Sequence, residues 1–140
     1  MNFNDLQIIR YVTKCFVFNM LTKFMTTYTI LQAVISPNTD ERINIGILLS
    51  DGEHTVWEYS DKKLDILRMW RGDAAYNMVK RISECLQSNA LLREEIMQPS
   101  QLSYLQRYAN NLVTVTPAQS VPSTLDTDLT SSLYNRVIAS

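Results

Sequence analysis

Thr27 to Ile35 is rich in β-branched and aromatic residues and carries no helix start signal, which predicts a strand. The cluster Ser36-Pro37-Asn38-Thr39-Asp40 ends it in a turn. Ile43 to Ser50 predicts a second strand. Asp51-Gly52 then reads as a two-residue hairpin turn, because positive φ at both central positions suits that dipeptide, and His54 to Tyr59 returns as a third strand. This turn length sets Gly46 opposite Trp57 and Asn44 opposite Tyr59, with the indole covering the bare glycine backbone. Ile45, Ile47 and Leu49 then share the other face with Val56. A longer loop would break that register.

Past Tyr59 the period changes. Ser60-Asp61 supplies a cap for a helix through Trp70, with Leu64, Leu67 and Trp70 on one stripe. Arg71-Gly72-Asp73 interrupts it. The tripeptide matches an integrin ligand of secreted proteins, but a Gly C-cap followed by an Asp N-cap joining two helices is the preferred reading. Ala75, Met78, Val79, Ile82, Cys85 and Leu86 give the clearest helical spacing, over Ala74 to Gln87, with Lys80, Arg81 and Glu84 on the wet side. Ser88-Asn89 stops that helix. Short helices are predicted over Leu91 to Ile96 and from Ser100 to about Ala109, then a strand over Leu112 to Thr116 and a loop from Pro117 to Pro122. Ser123-x-x-Asp126 has the spacing of a capping box, opening a last helix with Leu125, Leu129, Leu133 and Val137 packed inward. The expected fold is α+β: an antiparallel sheet of about four strands including a β-hairpin, with helices packed on one side.

Length and composition bound the function. With 140 residues the chain fits one domain with a real core, and 46% hydrophobic with 19% charged residues argues against global disorder. A net charge of −1 lacks the basic footprint of a dedicated nucleic-acid binder. Cys15 and Cys85 form no CxxC or Cys/His cluster, and with His54 as the single histidine a zinc site has too few soft ligands. Both cysteines read as reduced, buried small hydrophobes of a cytoplasmic protein. Residues 1–24 are set apart as an N-terminal extension. Leu6, Ile9, Phe16, Met20 and Phe24 lie near helical spacing, so the segment is either an added amphipathic helix or an upstream extension with Met25 as the natural start. Its apolar run is broken by Asn19 and is too short to span a bilayer. Residues 25–140 form the single α+β domain.

The second strand carries the candidate chemistry. Asn44 and Gly46 sit between isoleucines, where neither favours a strand: glycine packs nothing and asparagine competes for backbone hydrogen bonds. With Arg42 and Trp57 they are the candidate binding residues. Arg42 has two readings: a bidentate grip on a carboxylate or phosphate, or an internal pair with Asp40, Glu41 or a carboxylate of the closing helix. The structural corner is preferred. Trp57, Tyr59, Trp70 and Tyr76 form either an aromatic contact surface or core, with core the default, and Arg68, Arg71, Lys80 and Arg81 give a modest basic area. No Gly-rich phosphate loop, G-x-S-x-G or H-E-x-x-H is present, so no catalytic residue, metal or cofactor is assigned. The weak catalytic candidates are Glu41, His54 and Glu58, which with Asp40 and Arg42 would serve a metal-assisted hydrolase or nuclease.

The run Glu41-Arg42-Ile43-Asn44-Ile45-Gly46-Ile47-Leu48, preceded by Tyr28-Thr29-Ile30-Leu31-Gln32-Ala33-Val34, resembles the bacterial family called domain of unknown function 3037. The likeness returns in Arg107-Tyr108-Ala109-Asn110-Asn111-Leu112-Val113-Thr114-Val115-Thr116-Pro117 and in a closing helix with Leu125, Leu129, Leu133 and Tyr134. It covers Thr26 to Ile138, with Leu64 to Gln98 matching only in helical character. Family members look like genomic neighbours of HipA-like Ser/Thr kinases. The resemblance therefore implies a non-enzymatic accessory module of the bacterial cytoplasm, associated with such a kinase or a toxin–antitoxin-type locus. The partner expected is a protein, without nucleic acid or membrane, and a homo-oligomer through an edge strand stays open. An adaptor needs an exposed apolar or aromatic patch; a hydrolase needs its polar side chains convergent in a cleft.

Overall fold

The computed structural model describes residues 25–98 and 112–139, together with Gln7 and Arg10. Apart from those two positions, the expectations for residues 1–24, including Cys15, lie outside the described residues. So does the helix expected from Ser100 to about Ala109. The described chain is α+β. Strands β1 (Thr26–Ser36), β2 (Glu41–Ser50) and β3 (Thr55–Tyr59) lead into helices α1 (Asp61–Arg71), α2 (Asp73–Ser88) and α3 (Ala90–Ile96). Strands β4 (Val113–Val115) and β5 (Gln119–Val121) and helix α4 (Thr127–Val137) follow. All strand pairs are antiparallel, in the order β3–β2–β1–β4, with β5 also on β1.

The sheet has five strands because the expected loop between Pro117 and Pro122 contains β5. Threonines splice β4 to β5 along β1. The Thr29 hydroxyl donates to the Thr116 carbonyl at 2.6 Å, and the Thr116 hydroxyl accepts from the Ile30 amide at 3.0 Å. The Thr26 hydroxyl donates to the Ser123 carbonyl at 2.8 Å. Each such bond satisfies a group that a broken edge strand would otherwise leave unpaired.

The β2–β3 connection is longer than a two-residue turn. The Asp51 carboxylate accepts from the backbone amides of Glu53 and His54 at 2.8 and 2.6 Å, and the Asp51 amide donates to the His54 carbonyl at 3.2 Å. Only Gly52 takes positive φ there, at 94°. A side chain that mimics a backbone turn thus replaces the tight turn that the Asp-Gly pair predicts. Ser50 pairs with Thr55, so Gly46 faces Tyr59 and Leu48 faces Trp57. The shift is by two residues, which preserves the faces. The Trp57 ring therefore still reaches Gly46, but diagonally.

A β-bulge changes the faces themselves. Leu31 pairs with Gly46 and Gln32 with Asn44, leaving Ile45 as the extra residue. Ile47 and Leu49 pack with Val56, as expected, but Ile45 crosses to join Leu48 and Trp57. The first cluster sits under α1, α2 and α3, around Leu31, Ala33, Ile45, Leu48, Trp57 and Leu64. The second joins Ile47 and Leu49 to Leu133 and Ile138 of the closing segment, with Leu125, Leu129 and Val137 packed against it. Three helices thus cover one face and α4 lies across the other.

Helix α1 starts at its expected cap, whereas α2 and α4 do not. Ser60 accepts from the Lys63 amide, and Gly72, at φ 88°, ends α1 with its amide on the Arg68 carbonyl. Asp73 is not the cap of α2; Gly72 holds that position and Asp73 pairs with Arg68 at 3.2 Å. Asp126 itself caps α4, accepting from the Leu129 amide. Two helical stripes are rotated from their expected positions. Trp70 lies outside the Leu64–Leu67 stripe and is exposed, and on α2 the buried set is Ala75, Val79, Ser83 and Leu86, leaving Met78 and Cys85 exposed.

Candidate functional site

Asn44 and Gly46 occupy opposite faces of the sheet, each under a helix. The Asn44 side-chain amide donates to the Val137 carbonyl at 3.1 Å, and its carbonyl oxygen accepts from Gln32 Nε2 at 2.8 Å. Asn44 thus satisfies one of the carbonyls that the end of α4 leaves open. Gly46 makes room. A Cβ there would lie 2.5 Å from Trp57 Cη2 and 2.8 Å from the Glu58 carbonyl oxygen. The Trp57 indole, 3% exposed, crosses that space and donates from Nε1 to the Ser83 carbonyl of α2 at 3.0 Å. Both residues hold a helix against the sheet, and Trp57 is core.

Glu41, His54 and Glu58 do not come together. Glu41 opens β2 and His54 follows its far end, a span of about 30 Å at about 3.4 Å per strand residue. His54 is exposed and lies 3.7 Å from the Asp51 carboxylate. Burial raises the pKa of Asp51, but its hydrogen bonds from the His54 and Glu53 amides, with the nearby imidazole, hold it below the usual 3.8. Glu58 pairs with Ile47 in mid-strand and lines a groove of about 450 Å³ beside Val56, Leu125, Thr130 and Tyr134. Among the described residues no three His, Cys, Asp or Glu side chains gather where they could hold a metal ion.

Arg42 lies at the start of β2, opposite Val34. Its Nε and Nη2 donate to Asp40, with Nη2 3.0 and 3.1 Å from the two carboxylate oxygens. Asp40 reaches it from a left-handed backbone position at φ 58°. The pair borders a surface groove of about 580 Å³, lined also by Gln32, Val34, Pro37, Thr116 and Pro117.

A different surface lies at the end of α1. Met69 is 84% and Trp70 65% exposed. Beside them Arg68 stacks 3.6 Å above the centre of the Tyr76 ring, and Lys80 donates to the Tyr76 hydroxyl at 3.2 Å. That hydrogen bond raises the lysine pKa. Burial, together with the charges of Asp61 and Glu84, raises that of the neighbouring Tyr59 hydroxyl. Arg71 is drawn away from the surface to donate to the Val34 carbonyl at 2.7 Å. From the sequence Trp70 reads as inward, because its spacing from Leu67 fits a stripe, yet it stands exposed with Met69 beside it.

The sequence does not mark the role of Arg93. It joins α3 to the Leu86 and Gln87 carbonyls at 2.7 and 3.1 Å and to the Thr55 hydroxyl at 2.9 Å. No helix among the described residues is long and apolar enough to cross a membrane. No family model, curated protein or solved structure matches the chain.

Proposed function

We propose that this chain is a non-enzymatic protein-interaction module whose contact surface centres on Met69 and Trp70. The observation that carries this reading is the side-by-side exposure of those two large apolar side chains at the end of α1. Aromatic, methionine and arginine side chains are the types enriched at protein interfaces, and Arg68 stands next to them on Tyr76. The separation of Glu41, His54 and Glu58 along the sheet gives a hydrolase reading no comparable support. The further step, to an accessory of a HipA-like kinase in the bacterial cytoplasm, rests on the likeness of the β2 segment and the closing segment to domain of unknown function 3037.

The test is a tagged pull-down from the native cell with wild type, Trp70→Ala and Met69→Ala, each checked by thermal melt. Wild type retains a stoichiometric protein, identified as a kinase by mass spectrometry, and both folded variants lose it. A partner that is not a kinase removes the kinase assignment alone. Retention by both variants, or no partner at all, sinks the interaction surface.

A further inference from the structure

We infer that a second copy of this chain covers the outer face of α1, through a two-fold, antiparallel pairing of that helix with itself. The inference rests on the Met69–Trp70 surface proposed above and names what occupies it before a heterologous partner does. The helical repeat is the starting point. At 3.6 residues per turn, Lys62, Asp65, Ile66, Met69 and Trp70 fall on the side of α1 opposite the buried Leu64 and Leu67. Met69 and Trp70 stand exposed there, and the half-buried Ile66 belongs to neither apolar cluster of the core. Helix α1 thus carries two apolar stripes, of which the sheet takes one.

Charge decides the occupant. In a two-fold contact every pairing is made twice, so a residue and its mate must lie on the same patch. An axis level with Leu67 and Arg68 sets Ile66 against Met69 of the second copy and Trp70 beside its Ile66. Asp65 then comes level with Arg68 of the second copy, and Lys62 with its Asp73, so opposite signs meet on each protomer. Arg68 and Asp73 are both exposed and held together at 3.2 Å, and the Tyr76 ring under Arg68 keeps the guanidinium at that flank. Parallel alignment would instead set Asp65 on Asp65 and Arg68 on Arg68, like charge on like. A net charge of −1 adds little repulsion between whole copies. The patch is small, so the pair is weak and exchanges for another partner.

The experiment is sedimentation equilibrium of the purified full chain over a concentration series. The average mass should rise with concentration from 16.1 kDa towards twice that value. Trp70→Ala should weaken the dimer by about thirtyfold or more, as loss of a central aromatic does. Asp65→Arg and Arg68→Asp should each weaken it about tenfold, and an equimolar mixture of the two should recover a heterodimer. Should Arg68→Asp fail to fold, Asp65→Arg must weaken the dimer more than Asp65→Asn does. A wild type that stays monomeric overturns the inference, and does so without touching the surface reading if the pull-down still captures a partner through Trp70. A dimer that persists in folded Trp70→Ala removes α1 from the interface. A mixture no stronger than its components, or equal effects of Asp65→Arg and Asp65→Asn, overturns the antiparallel pairing.

Discussion

The two faces of the sheet are held by different physics. Under α1–α3 the contact is apolar and shape-determined: a tryptophan ring lies where a side chain of Gly46 would stand, and one indole hydrogen bond reaches α2. Under α4 the buried apolar cluster among the described residues is smaller, and a polar relay from Gln32 through Asn44 to Val137 fixes the end of the helix. Close packing on the first face punishes any change of volume; on the second, the cost follows hydrogen bonds that water can partly replace.

Trp57→Ala tests the first face most severely. It should cost about 3–5 kcal/mol, read from urea denaturation, since it empties a buried aromatic site and orphans the Ser83 carbonyl from its indole donor. Gly46→Ala comes next, at about 1–3 kcal/mol, because the new Cβ meets ring and backbone at 2.5 and 2.8 Å. The two effects should be strongly non-additive: once the indole is gone, the alanine is tolerated far better. Additive losses would show that the glycine answers to something other than the ring.

On the second face, Asn44→Ala should cost about 1–2 kcal/mol. Hydrogen exchange should localise the loss to the end of α4, leaving α2 protected. If α2 loosened equally, the two faces would not be independent. Arg42→Ala, at the exposed corner, should shift stability by less than about 1 kcal/mol.

The smallest effect concerns pH. Asp51 has a folded pKa below its ordinary value, so its contribution is complete above about pH 3.8 and fades as pH falls through the folded value. Asp51→Asn should flatten that part of the acid-denaturation profile while leaving both helix layers unchanged. An unaltered profile would remove the turn from the account of acid stability.

The strands and helices were legible because their periodicity is local. β1, β2 and β3 fall on the alternating and β-branched runs, and Leu133 and its neighbours on α4 pack as their spacing predicts. What failed depends on single atoms. Nothing in Asp51-Gly52 announces that the carboxylate will accept two amides and lengthen the turn, and nothing between Ile43 and Leu49 marks Ile45 as the bulged residue. β5 is three residues long beside prolines, and its partner lies on β1, far back in the chain. Asn44 and Gly46 stand out in the sequence as residues a strand does not favour. Their roles were illegible because their partners, Val137 and Trp57, are chosen by tertiary packing.

The threonine splice along β1 also bears on how the protein is made. The Thr29–Thr116 bond joins positions 87 residues apart, and Thr26–Ser123 joins positions 97 apart. At about 5–20 residues per second on the ribosome, β4 and β5 emerge on the order of 4–20 s after β1. Through that interval the nascent β1–β2 hairpin has one edge without its final strands, the state in which sheets recruit foreign ones. Chaperone demand should therefore peak late in synthesis and end when the segment around Gln119 leaves the tunnel.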